Sequence, residues 1–404
     1  MIYLDNAATT PISPVVARHL QSAYVDIFGN SSSSHALGKQ AEKTLEQARE
    51  SIASLLGFPK EKIFFSSGAT ESANIIIQGY AKHLLRTNSP RKEILISEME
   101  HPAVYTTALS LENAGFTMRI IPNGKNGVID QQALESMLSG HTGIVAIMRV
   151  NNETGTIQPI RELSQLVKEK DPGILFMTDI VQAIGKIPLD IAPESVDAWF
   201  ISGHKIGAPK GTGAFYINSK FRLQPVLFGG GHEGGYRPGT TNVSGAHLLS
   251  ISIQDSIEHL EKHAQHARTL QYHLVSELTK NRIEFKRTIE AEHSSPFIFS
   301  IIVPGQKSAD TIQKLSNQEI CISSRSACSS NSHSKSRILE SLNMPTELID
   351  SVLRISFSAE NTAEEVETFA KALGSIVQNR SAKSTVGQPE KEKSFLERPA
   401  PHHS

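Results

Sequence analysis

Two cysteines among 404 residues are too few for a disulfide framework, which predicts a reducing compartment. No apolar run is long enough to cross a bilayer, and neither a basic n-region nor an Arg-rich presequence precedes Ile2. A soluble, cytoplasmic protein without a membrane partner is therefore expected. An excess of one charge is also missing: 40 basic and 41 acidic residues leave a formal charge of −1, so electrostatics give no reason to expect direct nucleic-acid binding. No internal repeat is present. What remains is 39% hydrophobic and 20% charged residues, over a length that predicts a large core and two domains.

The chain is organised around Ile201-Ser202-Gly203-His204-Lys205, where an apolar strand reading stops at a lysine. A desolvated amine titrates low and becomes nucleophilic toward an aldehyde, although a lysine snorkelling out of a strand end has the same pattern. Upstream, the strand from Ile174 to Thr178 ends in Asp179 with Gln182 one turn on. A buried acid and a lysine at neighbouring strand ends are what pyridoxal phosphate (PLP) chemistry needs.

Further strand ends carry similar residues. Ile63-Phe64-Phe65 runs into Ser66-Ser67-Gly68-Ala69-Thr70-Glu71-Ser72, a strand-turn-helix that forms an anion cradle. The strand Ile94 to Ser97 leads to Glu100-His101-Pro102-Ala103-Val104, with His101 facing the crevice of an open sheet and suited to moving protons. Ile144 to Met148 delivers Asn151-Asn152-Glu153-Thr154-Gly155, whose asparagines suit ligand contact and turn formation alike. Arg354 stands in an otherwise apolar strand, Val352 to Ser356, where its fork needs an anion, either a ligand carboxylate or a structural partner. Cys328 lies among serines, Ser326-Ala327-Cys328-Ser329-Ser330, and reads as an exposed thiol, whereas Cys321 between Ile320 and Ile322 reads as a core residue. The glycine-dense stretch Gly229 to Thr240 reads as a loop making a close approach, or as a flexible lid.

Together with the opening Leu4-Asp5-Asn6-Ala7-Ala8-Thr9-Thr10-Pro11, these motifs resemble the group I cysteine desulfurases, in the class V aminotransferase group of fold-type I PLP enzymes. The resemblance spans about residues 2–378. It implies an α/β fold, with a large mainly parallel-sheet domain over 15–255 and a smaller α+β domain from 1–14 plus 256–380. Residues 381–404 read as a disordered tail. It also implies that L-cysteine becomes L-alanine, with a persulfide left on Cys328 for a sulfur-acceptor protein such as an iron-sulfur scaffold or a sulfurtransferase.

Carried over residue by residue, Lys205 binds the cofactor aldehyde, His101 stacks on the ring with an acid/base role, and Asp179 keeps the ring nitrogen protonated. Gln182 and Asn152 reach the ring oxygen. Ala69, Thr70, Ser202, Gly203 and His204 hold the phosphate, and Thr240 reaches the phosphate of the partner in a homodimer. Arg354 and Asn152 take the substrate, and no metal is implied. Four positions depart from the family pattern: Ser31 stands for a proline, Ile180-Val181 for a smaller pair that leaves the ring more room, and Arg325 for a small residue. Selenocysteine lyase and a non-catalytic PLP-binding regulatory or scaffold protein are the competing readings.

Overall fold

The computed structural model describes residues 1–324 and 336–385, with side chains to residue 378. The strands are β1 (Ile2–Tyr3), β2 (Ile63–Ser66), β3 (Glu93–Ser97), β4 (Thr117–Ile121), β5 (Thr142–Ala146) and β6 (Leu175–Asp179). They continue with β7 (Ala198–Ser202), β8 (Gly213–Ile217), β9 (Lys286–Arg287), β10 (Ile298–Ile302), β11 (Ile320–Cys321) and β12 (Val352–Ser356). Seven of them form one sheet in the order β2-β8-β7-β6-β5-β3-β4. It is parallel except for β8, which runs antiparallel to both β2 and β7.

Both faces of this sheet are covered, which is why β6 and β7 are continuously apolar rather than alternating. Trp199 and Ile201 pack toward Leu45 and Ile52 of helix Ala36–Leu56 and Leu249 and Ile253 of helix Val243–Glu258. Ala198 and Phe200 face Ile76 and Tyr80 of helix Ala69–Arg86. Full burial of side chains this size stabilises by roughly 1.5–3 kcal/mol each.

A second core joins β10 and β12 to helices Leu260–Lys280 and Ala363–Thr385, and it also takes in Leu4. The long-helical pattern from Asn242 onward breaks at His259, with its first half in the sheet core and its second half in this smaller one. Thr362 and Glu365 form the expected capping box, at 3.0 and 3.2 Å. The helix they start continues to Thr385, so the tail boundary expected at 381 falls inside it. Cys321 is half-buried at the paired edge of β11 and β1, not in the core. Its side chain alternates outward from Ile320 and Ile322, whose own side chains fill the apolar face.

The N-terminal segment ties the two cores together. Asn6 N donates to Ser356 O on β12 at 3.3 Å, while Thr10 N donates to His204 O just beyond β7 at 2.8 Å. Ser13 Oγ then caps helix Pro14–Val25, as its sequence predicts.

Candidate active site

In a parallel sheet every crossover returns the chain to the same side, so the carboxyl ends of β2, β3, β5, β6 and β7 open on one crevice. The crevice holds a cavity of about 490 Å³, lined among others by Thr70, His101, Asn152, Asp179, Lys205 and Arg354. Ala69, Gln182, Ser202 and His204 line it as well.

At one end, the helix Ala69–Arg86 begins without a side-chain cap, and its first-turn amides have no intrahelical acceptor. Gly68 precedes it at φ +148°, and a Cβ there would meet Ser202 Oγ at 3.2 Å. His204 Nδ1 lies 3.0 Å from Thr9 Oγ1. Burial and the Lys205 charge push the pKa of His204 down to about 4, so it is a neutral ring. This end is built for an anion.

At the other end lies Asp179, whose Oδ1 accepts from Val181 N at 2.8 Å. Burial raises its pKa to about 7, against the Val181 amide and the Lys205 charge. Behind it Glu100 is fully buried. Burial raises its pKa to about 8, and its Oε2 has no partner among the described residues.

His101 caps helix Pro102–Ser110, its Nδ1 accepting from Ala103 N at 3.1 Å, which leaves Nε2 as the free ring nitrogen. Burial and then Lys205 lower its pKa to about 4. Lys205 ends a single helical turn after β7, and its Nζ donates to Ala7 O at 2.7 Å and Ala8 O at 2.6 Å.

The two asparagines divide their work. Asn151 holds the turn, its Oδ1 accepting from Glu153 N and Thr154 N at 2.8 and 2.9 Å. Asn152 instead lines the cavity, and its Oδ1 is buried without a partner among the described residues. Arg354 is fully buried, donating from Nη1 to Asn152 O at 2.8 Å and from Nη2 to Asp5 Oδ1 at 2.7 Å.

Other expectations fare differently. Gly203 does not line the cavity: its amide donates to Thr212 O at 2.9 Å, and a Cβ there would meet Thr212 Oγ1 at 2.3 Å. Glycine is needed there for packing. Thr240 is exposed and outside the cavity. The glycine-rich stretch is pinned by Glu233, which takes Arg49 Nη1 and Nη2 at 2.9 Å each and Phe65 N at 2.7 Å. Of the pair Ile180-Val181, only Val181 lines the cavity. Cys328 and Arg325 lie outside the described residues.

Sequence reasoning missed Lys186, which is buried and donates to Gln182 Oε1 at 2.8 Å. A lysine one helical turn after Gln182 was the available signal. It also missed Lys210 and Gly211 at the anion end.

A class-V aminotransferase profile matches residues 2–369, and the chain belongs to that family. Its place within the family follows from its relatives, which make it one of the cysteine desulfurases. It is 34% identical over 377 residues to the putative cysteine desulfurase IscS 1 of Bacillus subtilis, covering 93% of this chain and 98% of the relative. Among solved structures it resembles a NifS-like protein, with TM-score 0.87 and 32% identity over 94% of this chain and 99% of that one. It also resembles SspA in complex with cysteine, with TM-score 0.76 and 29% identity over 90% and 100% of the two chains.

These enzymes depend on PLP, and the cavity fits the cofactor. One end offers uncapped amides and a glycine whose side chain would intrude, the other an acid with one oxygen held by an amide. Asn152, whose buried Oδ1 has no partner among the described residues, lines the same cavity.

Proposed function

We propose that the chain is a PLP-dependent cysteine desulfurase that converts L-cysteine to L-alanine and retains the sulfur as a persulfide. The observation that carries this reading is Lys205 and Asp179 facing one cavity from adjacent strands, with Arg354 on the same cavity from the second core. The bound cofactor supplies an electron sink for the carbanion equivalent at the substrate α-carbon. Ser202, His204 and the amides of Ala69 and Thr70 would hold its phosphate, Asp179 would hold its ring nitrogen, and His101 would lie against the ring. Lys205 would hold the aldehyde carbon, and its amine is the base placed on this cavity to take the substrate α-proton. Arg354 and Asn152 orient the substrate.

The Cys328 thiolate attacks the substrate sulfur. The S–S bond forms as the C–S bond breaks, the electron pair returns to the substrate carbon, and a proton there completes alanine. The carbon is reduced and the sulfur oxidised by the same pair. The sulfur then passes to a protein acceptor in the cytoplasm.

We further assign the large domain to 15–255 and the small domain to 1–14 plus 256–380. A homodimer in which Thr240 serves the partner's phosphate agrees with the exposed apolar side chains of Tyr24, Phe28, Leu37 and Phe228.

The test is to feed L-cysteine and measure alanine together with protein-bound sulfur by mass spectrometry. Equimolar alanine and added sulfur on the Cys328 peptide is the expected result. Alanine without protein-bound sulfur, or turnover confined to selenocysteine, would overturn it.

A further inference from the structure

Arg354 sits in mid-strand between Leu353 and Ile355, with its side chain 1% exposed, so its charge requires an anion at all times. That anion is Asp5, 349 residues away in sequence, whose side chain is 16% exposed. The two are not equally committed. Arg354 is fixed by the strand and by its bond to Asn152 O, while Asp5 accepts from Arg354 at Oδ1 and from Ser323 Oγ at Oδ2, the latter at 2.8 Å. A guanidinium has five N–H donors, and Nε here has no partner among the described residues, so the fork is under-used. A substrate carboxylate arriving at Arg354 meets a second carboxylate already in place, and like charges on one cation repel.

We propose that Asp5 is the exchangeable counter-ion of Arg354: the incoming carboxylate displaces it toward Ser323, and Asp5 thereby sets substrate affinity. The inference rests on the reading of Arg354 as the carboxylate receptor. In the resting protein Asp5 spares Arg354 an uncompensated buried charge. On binding, the substrate replaces one carboxylate by another, so the site pays for each carboxylate it admits by losing an ion pair. Asp5 is thus a positioning residue, acting through Arg354 rather than on the reacting atoms.

Asp5→Asn keeps the side-chain shape, an oxygen that accepts from Arg354 and an NH₂ that can donate to Ser323 Oγ, but removes the charge. The holoenzyme is titrated with L-alanine, which carries the carboxylate without the sulfur, and binding is followed by the cofactor's absorption and by thermal shift. Asp5→Asn should bind L-alanine about tenfold more tightly and show a correspondingly lower KM for cysteine with no rise in kcat, while ethylamine, lacking the carboxylate, binds both proteins alike. Ser323→Ala should bind L-alanine about threefold more weakly, because Asp5 released from Arg354 no longer has the Ser323 hydroxyl to retain it. That second variant decides the matter if Asp5→Asn does not fold.

Unchanged or weaker alanine binding in Asp5→Asn, or unchanged binding in Ser323→Ala, overturns the proposal. Arg354→Gln separates the two readings. If it abolishes alanine binding while the Asp5 and Ser323 variants behave like wild type, only the exchange idea fails. If Arg354→Gln binds alanine normally, the receptor assignment fails with it.

Discussion

Lys205 Nζ and Gln182 Nε2 donate to the same carbonyl, that of Ala7, at 2.7 and 2.8 Å. The other end of the Gln182 amide is taken by Lys186, which fixes which way the amide points: oxygen toward Lys186, NH₂ toward the cavity wall. Both lysines also line a second cavity of about 370 Å³ on the far side of the N-terminal segment. A buried lysine thereby orients a side chain of the main cavity's wall without lining that cavity itself.

Burial, then the charges of Lys205 and Arg354, lower the Lys186 pKa to about 7. An unfolded lysine titrates near ~10.4, so between these values the unfolded chain holds a proton that the folded one lacks. The Lys186 contribution to stability therefore rises as pH goes from about 7 to about 10. Lys186→Met should lack that rise in denaturant titrations across this range. It should also weaken cofactor retention, because the Gln182 amide is free to turn over. A variant with the wild-type pH profile and retention would remove Lys186 from this role.

Asp179 behaves with the opposite sign. Its folded pKa is about 7, raised by burial, while an unfolded aspartate titrates near ~3.9. In the cofactor-free protein the folded state thus gains a proton first, and the Asp179 contribution falls as pH rises from about 4 to about 7. Asp179→Asn should abolish this part of the slope. In the holoenzyme the same substitution should slow alanine release about 10- to 100-fold, the worth of one charge-assisted hydrogen bond. A variant with wild-type turnover would show that the carboxylate does not serve the ring.

Glu233 is a structural prediction. Its carboxylate is buried against Arg49 and the Phe65 amide, joining the glycine-rich stretch to β2 just before the anion end. Glu233→Ala leaves the buried Arg49 guanidinium with only the more exposed Glu46 as counter-ion, at 3.0 Å, and should cost about 3 kcal/mol. Urea denaturation measures this directly. A loss under about 1 kcal/mol would mean that the stretch is held by other contacts.

For the two cysteines, Cys328→Ser should still bind cofactor and L-cysteine, yet make no persulfide and little alanine. Cys321→Ser should keep its activity and lose about 1 kcal/mol or less, since Cys321 is only half-buried beside Tyr3. Added sulfur on the Cys321 peptide would reverse the assignment.

The sequence by itself determined the strand ends and what they carry. Apolar runs closed by Asp179, His101, the Gly68-Ala69-Thr70 turn and the lysine after Ser202 are local signals, because strand length, capping and turn chemistry act within a few residues. Since a parallel sheet sends its carboxyl ends to one side, those local signals already implied a shared crevice. Only the tertiary structure decided which residue of each motif faces it. Asn151 became the turn and Asn152 the cavity wall, and Gly203 became a packing glycine under Thr212. Glu233 turned a glycine-rich loop into an anchored one, and Lys186 entered the site from behind Gln182. The reason is distance along the chain. The Asp5–Arg354 pair exists because the N-terminal segment crosses from the smaller core to the end of β7, and no local pattern encodes where two cores will meet.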